Sequence, residues 1–190
     1  MMKLDILMVG VGGQGTVLSS NIVCDVALAA GYDVKKSEIH GMAQRGGSVV
    51  THIRIGEKVF APTIPLKSAD ILVSFERMEF LRYSEYYSDN MTLIQNTQII
   101  SPPSVADGEA QYPQDKIDAV QKSLKKVIEV DAIGKAIELG NQKIAGMVVL
   151  GILAKNVPFE KSAWEQAIRD RVPPKTIDLN LKAFETGYNI

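Results

Sequence analysis

Two glycine-rich segments carry the residue types and spacings best suited to chemistry. Gly10-Val11-Gly12-Gly13-Gln14-Gly15 follows the apolar run Leu4-Asp5-Ile6-Leu7-Met8-Val9 and leads straight into a helix-compatible stretch. Gly10, Gly12 and Gly15 have the G-x-G-x-x-G spacing. Glycines let a strand-to-helix turn bend without a Cβ clash, and the first N–H groups of the next helix then face outward at its positive end. A turn of this kind holds a phosphate-sized anion with backbone alone. The competing reading is that the glycines merely let strand and helix pack closely. In the second segment, His40-Gly41-Met42-Ala43-Gln44-Arg45-Gly46-Gly47, Arg45 sits beside two glycines. Its guanidinium suits forked contact with phosphate or carboxylate, unless the segment is a surface loop with a solvated arginine.

Other candidates are fewer. Glu38, at the end of a second strand, stands where a nicotinamide-dependent dehydrogenase needs an acid for the ribose hydroxyls. That reading survives, although Gly13-Gln14 is an unusual interior for such a turn. A non-enzymatic nucleotide-binding or assembly module also fits. His52 and Arg54 alternate along one strand face and would extend a positive surface there. Two histidines without a carboxylate cluster give no metal site at a usual spacing. Cys24 falls inside the first helix and reads as a small buried hydrophobe, and nothing resembles a nucleophile elbow.

Strand-like and helix-like patterns alternate around these residues. Leu4–Val9 reads as a buried strand, and Thr16–Ala30 as a helix with Leu18, Ile22, Val26 and Ala29 at helical spacing, stopped by Gly31. Val34–Ile39 and Ser48–Ile55 read as strands, the latter with one polar face. Ile55–Phe60 reads as a tight hairpin with Gly56 at its bend. Ile71–Ser74, Met91–Gln95 and Lys126–Val130 are further strands, with helices near Arg77–Tyr83 and Asp115–Ser123. Ser101–Pro113 is loop-like. The C-terminal third is helical, with Asn141 capping Gln142–Leu153 and a last helix presenting Ile177, Leu181, Phe184 and Tyr188 on one face. Alternation of this kind predicts an α/β fold, a mostly parallel sheet covered on both faces. The Gly10–Gly15 turn, Glu38, His40, Glu76 and Asn96 then follow strand ends and are expected to share one rim.

The chain of 190 residues reads as one domain spanning 1–190. A net charge of −1 leaves no electrostatic footprint for nucleic acid or an anionic membrane. The longest apolar run, Ile144–Ala154, is well short of the roughly 20 residues that cross a bilayer. With no leader-like start, the expected location is cytoplasmic. One cysteine excludes an intrachain disulfide, and an iron–sulfur cluster needs about four thiolates.

The segments Gly10–Thr16, Gly31–Val34, Glu38–Val49 and His52–Arg54 together resemble the pyruvate/2-oxoacid:ferredoxin oxidoreductase gamma domain. The wording of His40–Gln44 is most like the indolepyruvate (arylpyruvate) branch. Similarity continues through Ala69-Asp70, Phe75-Glu76, Val130–Ala132, Gly140-Asn141 and Asn180–Phe184. The resemblance implies a Rossmann-like three-layer α/β/α sandwich and a subunit of a complex that oxidatively decarboxylates a 2-oxoacid to an acyl-CoA, reducing ferredoxin. It implies thiamine diphosphate, Mg²⁺ and iron–sulfur clusters on a partner subunit, so that the isolated chain is inactive, with a homodimer possible when it is alone. No catalytic residue and no metal ligand is assigned to this chain. Gly12, Gly13, Gln14, Gly15 and Thr16 are the expected coenzyme A contacts; Glu38, His40, Arg45, Gly46 and Gly47 are expected to face a partner or the substrate.

Overall fold

The computed structural model describes residues 2–41 and 47–190. Lys3–Val11 (β1) is buried on both faces over most of its length, as a near-continuous apolar run requires. Thr16–Ala29 (α1) follows and buries Ile22, Val23, Val26 and Ala27. Gly31, at φ 84°, takes the left-handed conformation that ends the helix. Asp33–His40 (β2) and Ser48–Gly56 (β3) come next, then Ala69–Ser74 (β4) and Tyr87–Asn96 (β5). The second half contains Pro103–Ala106 (α2), Gln114–Ser123 (α3), Lys126–Val130 (β6) and Ala132–Glu138 (α4). Ala145–Lys155 (α5), Lys161–Arg171 (α6) and Ile177–Tyr188 (α7) complete it.

The six strands form one sheet in the order β2-β3-β1-β4-β5-β6. β1, β4, β5 and β6 run parallel, whereas β3 is antiparallel to both its neighbours, β1 and β2. The expected mostly parallel sheet is therefore present with one reversed strand inside it. One face packs against α1 and α4–α7 around Ile6, Met8, Ile53, Val148 and Trp164. The other packs Leu7, Val9, Leu72 and Leu93 against Phe80 and Ile117.

Several local expectations are corrected. Ile55–Phe60 is not a hairpin: β3 already has a strand on each side, so no edge remains for a returning strand. Gly56 is a ladder residue paired with Lys3 and Asp33, and it is absent from the positive-φ glycines. The polar face of β3 is covered rather than solvated. His52 is buried and its Nδ1 accepts from the Ile64 N–H at 3.3 Å, while Arg54 Nε donates to buried Asp5 at 2.8 Å. The helix expected at Arg77–Tyr83 is a 3-10 stretch, Glu79–Tyr86, broken at Tyr83. Asn141 does cap its segment, accepting from the Lys143 N–H at 3.0 Å, but a 3-10 turn precedes α5. A short helix, α2, interrupts the Ser101–Pro113 loop.

Candidate functional site

β1 delivers the chain to the glycine turn and α1 carries it away. Gly13 (φ 102°) and Gly15 (φ 84°) both occupy the left-handed region, where a Cβ is strained. Gly12 N–H donates to Gly47 O at 2.9 Å, extending the β1–β3 ladder and tying the two glycine segments together. The first helical bond runs from Ser19 N–H to Gly15 O at 2.9 Å. The N–H groups of Thr16, Val17 and Leu18 therefore have no intrahelical acceptor. Among the described residues, Gly13 and Gly15 N–H also have no backbone partner. These N–H groups form a row of donors without backbone partners at the positive end of the helix.

These donors border a cleft of ≈ 660 Å³ that also touches His40, Val49, Asn21 and Arg171. Thr16 lines it too, although its hydroxyl is buried against Gly10 and unpaired among the described residues. The Ser19 hydroxyl, one turn away, is likewise buried and unpaired among them.

Gln14 plays a different geometric part. Its Oε1 accepts from Val11 N–H at 2.8 Å, and its Nε2 donates to Phe75 O at 2.7 Å and to Gln98 Oε1 at 2.8 Å. The side chain thereby braces the turn against the ends of β4 and β5. Asn96 extends the brace, donating to Phe75 O at 3.0 Å and accepting from Ala132 N–H at 3.1 Å. Behind it lies a second, smaller hollow of ≈ 210 Å³, at the point between β1 and β4 where the strand order reverses.

The expected rim is assembled in part. His40 reaches the cleft, and its Nε2 lies 2.8 Å from Glu38 Oε1. Glu38 also meets Lys36 at 3.2 Å, and Lys36 donates to Asn21 Oδ1 on α1 at 2.6 Å. Because β3 separates β2 from β1, Glu38 stands two strand spacings from the glycine turn, about 10 Å. A dinucleotide site needs its acid on the adjoining strand, so that geometry is not made here. Glu76 is turned away from the rim and buried, accepting from Met78 N–H, Glu79 N–H, Ile100 N–H and Tyr112 Oη–H at 2.6–3.1 Å. Arg45 and Gly46 lie outside the described residues. Burial pushes the Cys24 thiol up to about 11, in keeping with an unreactive side chain.

Arg171 is a site residue that sequence reasoning missed. It arrives from the last turn of α6 and grips Asp25 of α1 with two bonds, at 2.6 and 2.8 Å. That contact spans 146 residues, so no local pattern announces it.

Comparison with known proteins agrees with this architecture. Indolepyruvate oxidoreductase subunit IorB of Archaeoglobus fulgidus is 44% identical over 99% of this chain and 95% of its own length. The 2-oxoglutarate synthase subunit KorC of Methanothermobacter marburgensis is 30% identical over 100% and 97%. The crystal structure of a keto/oxoacid ferredoxin oxidoreductase gamma subunit from Geobacter sulfurreducens superposes with a TM-score of 0.72 at 22% identity, covering 98% of this chain and 96% of that one. The sequence pattern described as pyruvate ferredoxin/flavodoxin oxidoreductase matches residues 5–190, and the chain belongs to that family.

Proposed function

We propose that this chain is the small, non-cofactor-bearing subunit of a cytoplasmic 2-oxoacid:ferredoxin oxidoreductase of the indolepyruvate type. The observation that carries the reading is 44% identity along nearly the whole chain to an indolepyruvate oxidoreductase subunit, against 30% to a 2-oxoglutarate synthase subunit. The complex converts an arylpyruvate to an acyl-CoA and CO₂ and passes the electrons to ferredoxin. Thiamine diphosphate with Mg²⁺ and iron–sulfur clusters supply decarboxylation and electron transfer from a partner subunit. This chain's residues do not fit an iron–sulfur cluster, which needs about four thiolates: it has one cysteine, half-buried in α1. Among the described residues, no three His, Cys, Asp or Glu side chains gather as metal ligands.

Coenzyme A is the ligand this reading assigns to the cleft beside the glycine turn. The N–H groups of Gly13, Gly15 and Thr16 would face a phosphate group, with the Thr16 hydroxyl adding a donor. Gly12 and Gln14 keep the turn in shape through their bonds to Gly47 and Gln98. His40 with Glu38, and Arg45, Gly46 and Gly47, would face the partner or the substrate acid.

Co-expression with the thiamine-bearing subunit tests the reading. The reconstituted complex should reduce ferredoxin with indolepyruvate and coenzyme A, and this chain alone should not. An active complex lacking this chain, or turnover by the chain alone, overturns it. Gly13→Ala and Thr16→Val complexes should show a raised KM for coenzyme A; an unchanged KM in both removes the turn from the coenzyme site.

A further inference from the structure

We infer that the free edge of β2 is a self-pairing surface, through which two copies of this chain join their sheets about a twofold axis at Ser37. β2 ends the sheet and pairs only with β3 among the described residues. It runs for eight residues without a proline, a glycine or a register shift. Its unpaired N–H and C=O groups template another strand, and its charged side chains, Lys35, Lys36 and Glu38, restrict which strand can pair with it.

The hydrogen-bond parity of β2 is fixed by one contact beyond its end. Gly41 N–H donates to Ser48 O at 2.8 Å, in the same register that pairs Asp33 with Gly56. Odd-numbered residues of β2 therefore bond inward to β3, and Val34, Lys36, Glu38 and His40 turn their N–H and C=O groups outward. A twofold antiparallel partner must set these even residues opposite even residues.

Charge then selects among the allowed registers. With Ser37 opposite Ser37, Lys36 of each copy faces Glu38 of the other, Val34 faces His40, and Lys35 faces Ile39. One step to either side sets Lys36 opposite Lys36 or Glu38 opposite Glu38, and directly opposed like charges destabilise a strand pair. Within one chain Lys36 and Glu38 lie 3.2 Å apart on the same face, so bridging copies exchanges one Lys–Glu pair for another while Lys36 keeps Asn21 and Glu38 keeps His40 within reach. Ile39, 58% exposed, gains cover from the stem of the opposing Lys35. A second copy is thus the occupant that this strand's own charge order complements.

In this register Ser37 forms a non-hydrogen-bonded pair with its own copy, with Cα atoms about 4.5 Å apart. That separation lies within the range a disulfide spans. Lys35 is offset from its own copy by about 13 Å and lies beyond it. Analytical ultracentrifugation of the full chain should find a dimer, with Lys36→Glu raising its dissociation constant about tenfold or more and Lys36→Glu/Glu38→Lys restoring it. Under mild oxidation Ser37→Cys should form a covalent dimer and Lys35→Cys should not, which keeps the test open if Lys36→Glu fails to fold. A monomeric wild-type chain overturns the inference. So does a dimer indifferent to Lys36→Glu in which Ser37→Cys stays reduced. Protection of this edge by the thiamine-bearing subunit, with no self-linkage, would instead assign it to that partner and overturn the inference equally.

Discussion

The carboxamides of Gln14 and Gln98 meet at 2.8 Å, the first donating to the second across 84 residues of chain. Through this contact the turn after β1 is held by the segment after β5. Gln14→Ala removes three hydrogen bonds and leaves Val11 N–H without its acceptor. The expected cost is about 1–3 kcal/mol in urea denaturation, together with weaker coenzyme A binding by the assembled complex. A variant as stable as wild type would show that the brace does not hold the turn.

Glu76 presents the same test for the opposite side of the sheet. Its buried carboxylate gathers four donors from three separate segments. Glu76→Gln turns an NH₂ group toward some of those donors and should cost about 2–3 kcal/mol, while Tyr112→Phe should cost about 1–2 kcal/mol. Equal stability of the two variants in the same titration would refute that ordering.

His52 gives the fold a pH dependence. Burial holds its pKa below the ordinary 6.5, so the folded chain keeps it neutral while the unfolded chain takes up a proton. Stability is complete above the unfolded value and falls as pH drops through 6.5 toward the lower folded value. The contribution is at most about 1.4 kcal/mol per pH unit. Denaturation curves between neutrality and mild acid should show this slope, and His52→Gln should flatten it. An equal slope in the variant would assign the effect elsewhere.

α5 and α7 cross at two glycines. A methyl group on Gly151 would strike the Phe184 carbonyl, and one on Gly187 would strike the Val148 carbonyl. Both obstacles are backbone, so the helices must move apart. Gly151→Ala and Gly187→Ala are each expected to destabilise by about 1–3 kcal/mol, read as a lowered Tm. A neutral result for either would mean that the crossing is looser than it looks.

What the sequence made legible was local. The span of α1, its stop at Gly31 and the limits of β6 follow from apolar spacing and from one left-handed glycine. The glycine turn and its outward N–H groups were legible for the same reason. The position of β3 was not, because strand pairing joins residues far apart in sequence: its alternation announced a half-buried strand with one polar face, and both faces are covered. The same holds for Arg171, for the Gln14 brace and for the burial of Glu76. Each depends on a partner dozens of residues away, and side-chain type does not name that partner.

A reversed strand wedged between two others has a consequence for how this chain tolerates change in length. Val49–Gly56 of β3 answer to β1 on one side and to β2 on the other. Adding or deleting one residue within it would turn Ile53 and Ile55 from the α1 side of the sheet to the face that holds His52 and Arg54, while shifting both ladders together. Insertions are therefore confined to the connections, and the strand acts as a fixed ruler that keeps Gly12 and Gly47 abreast.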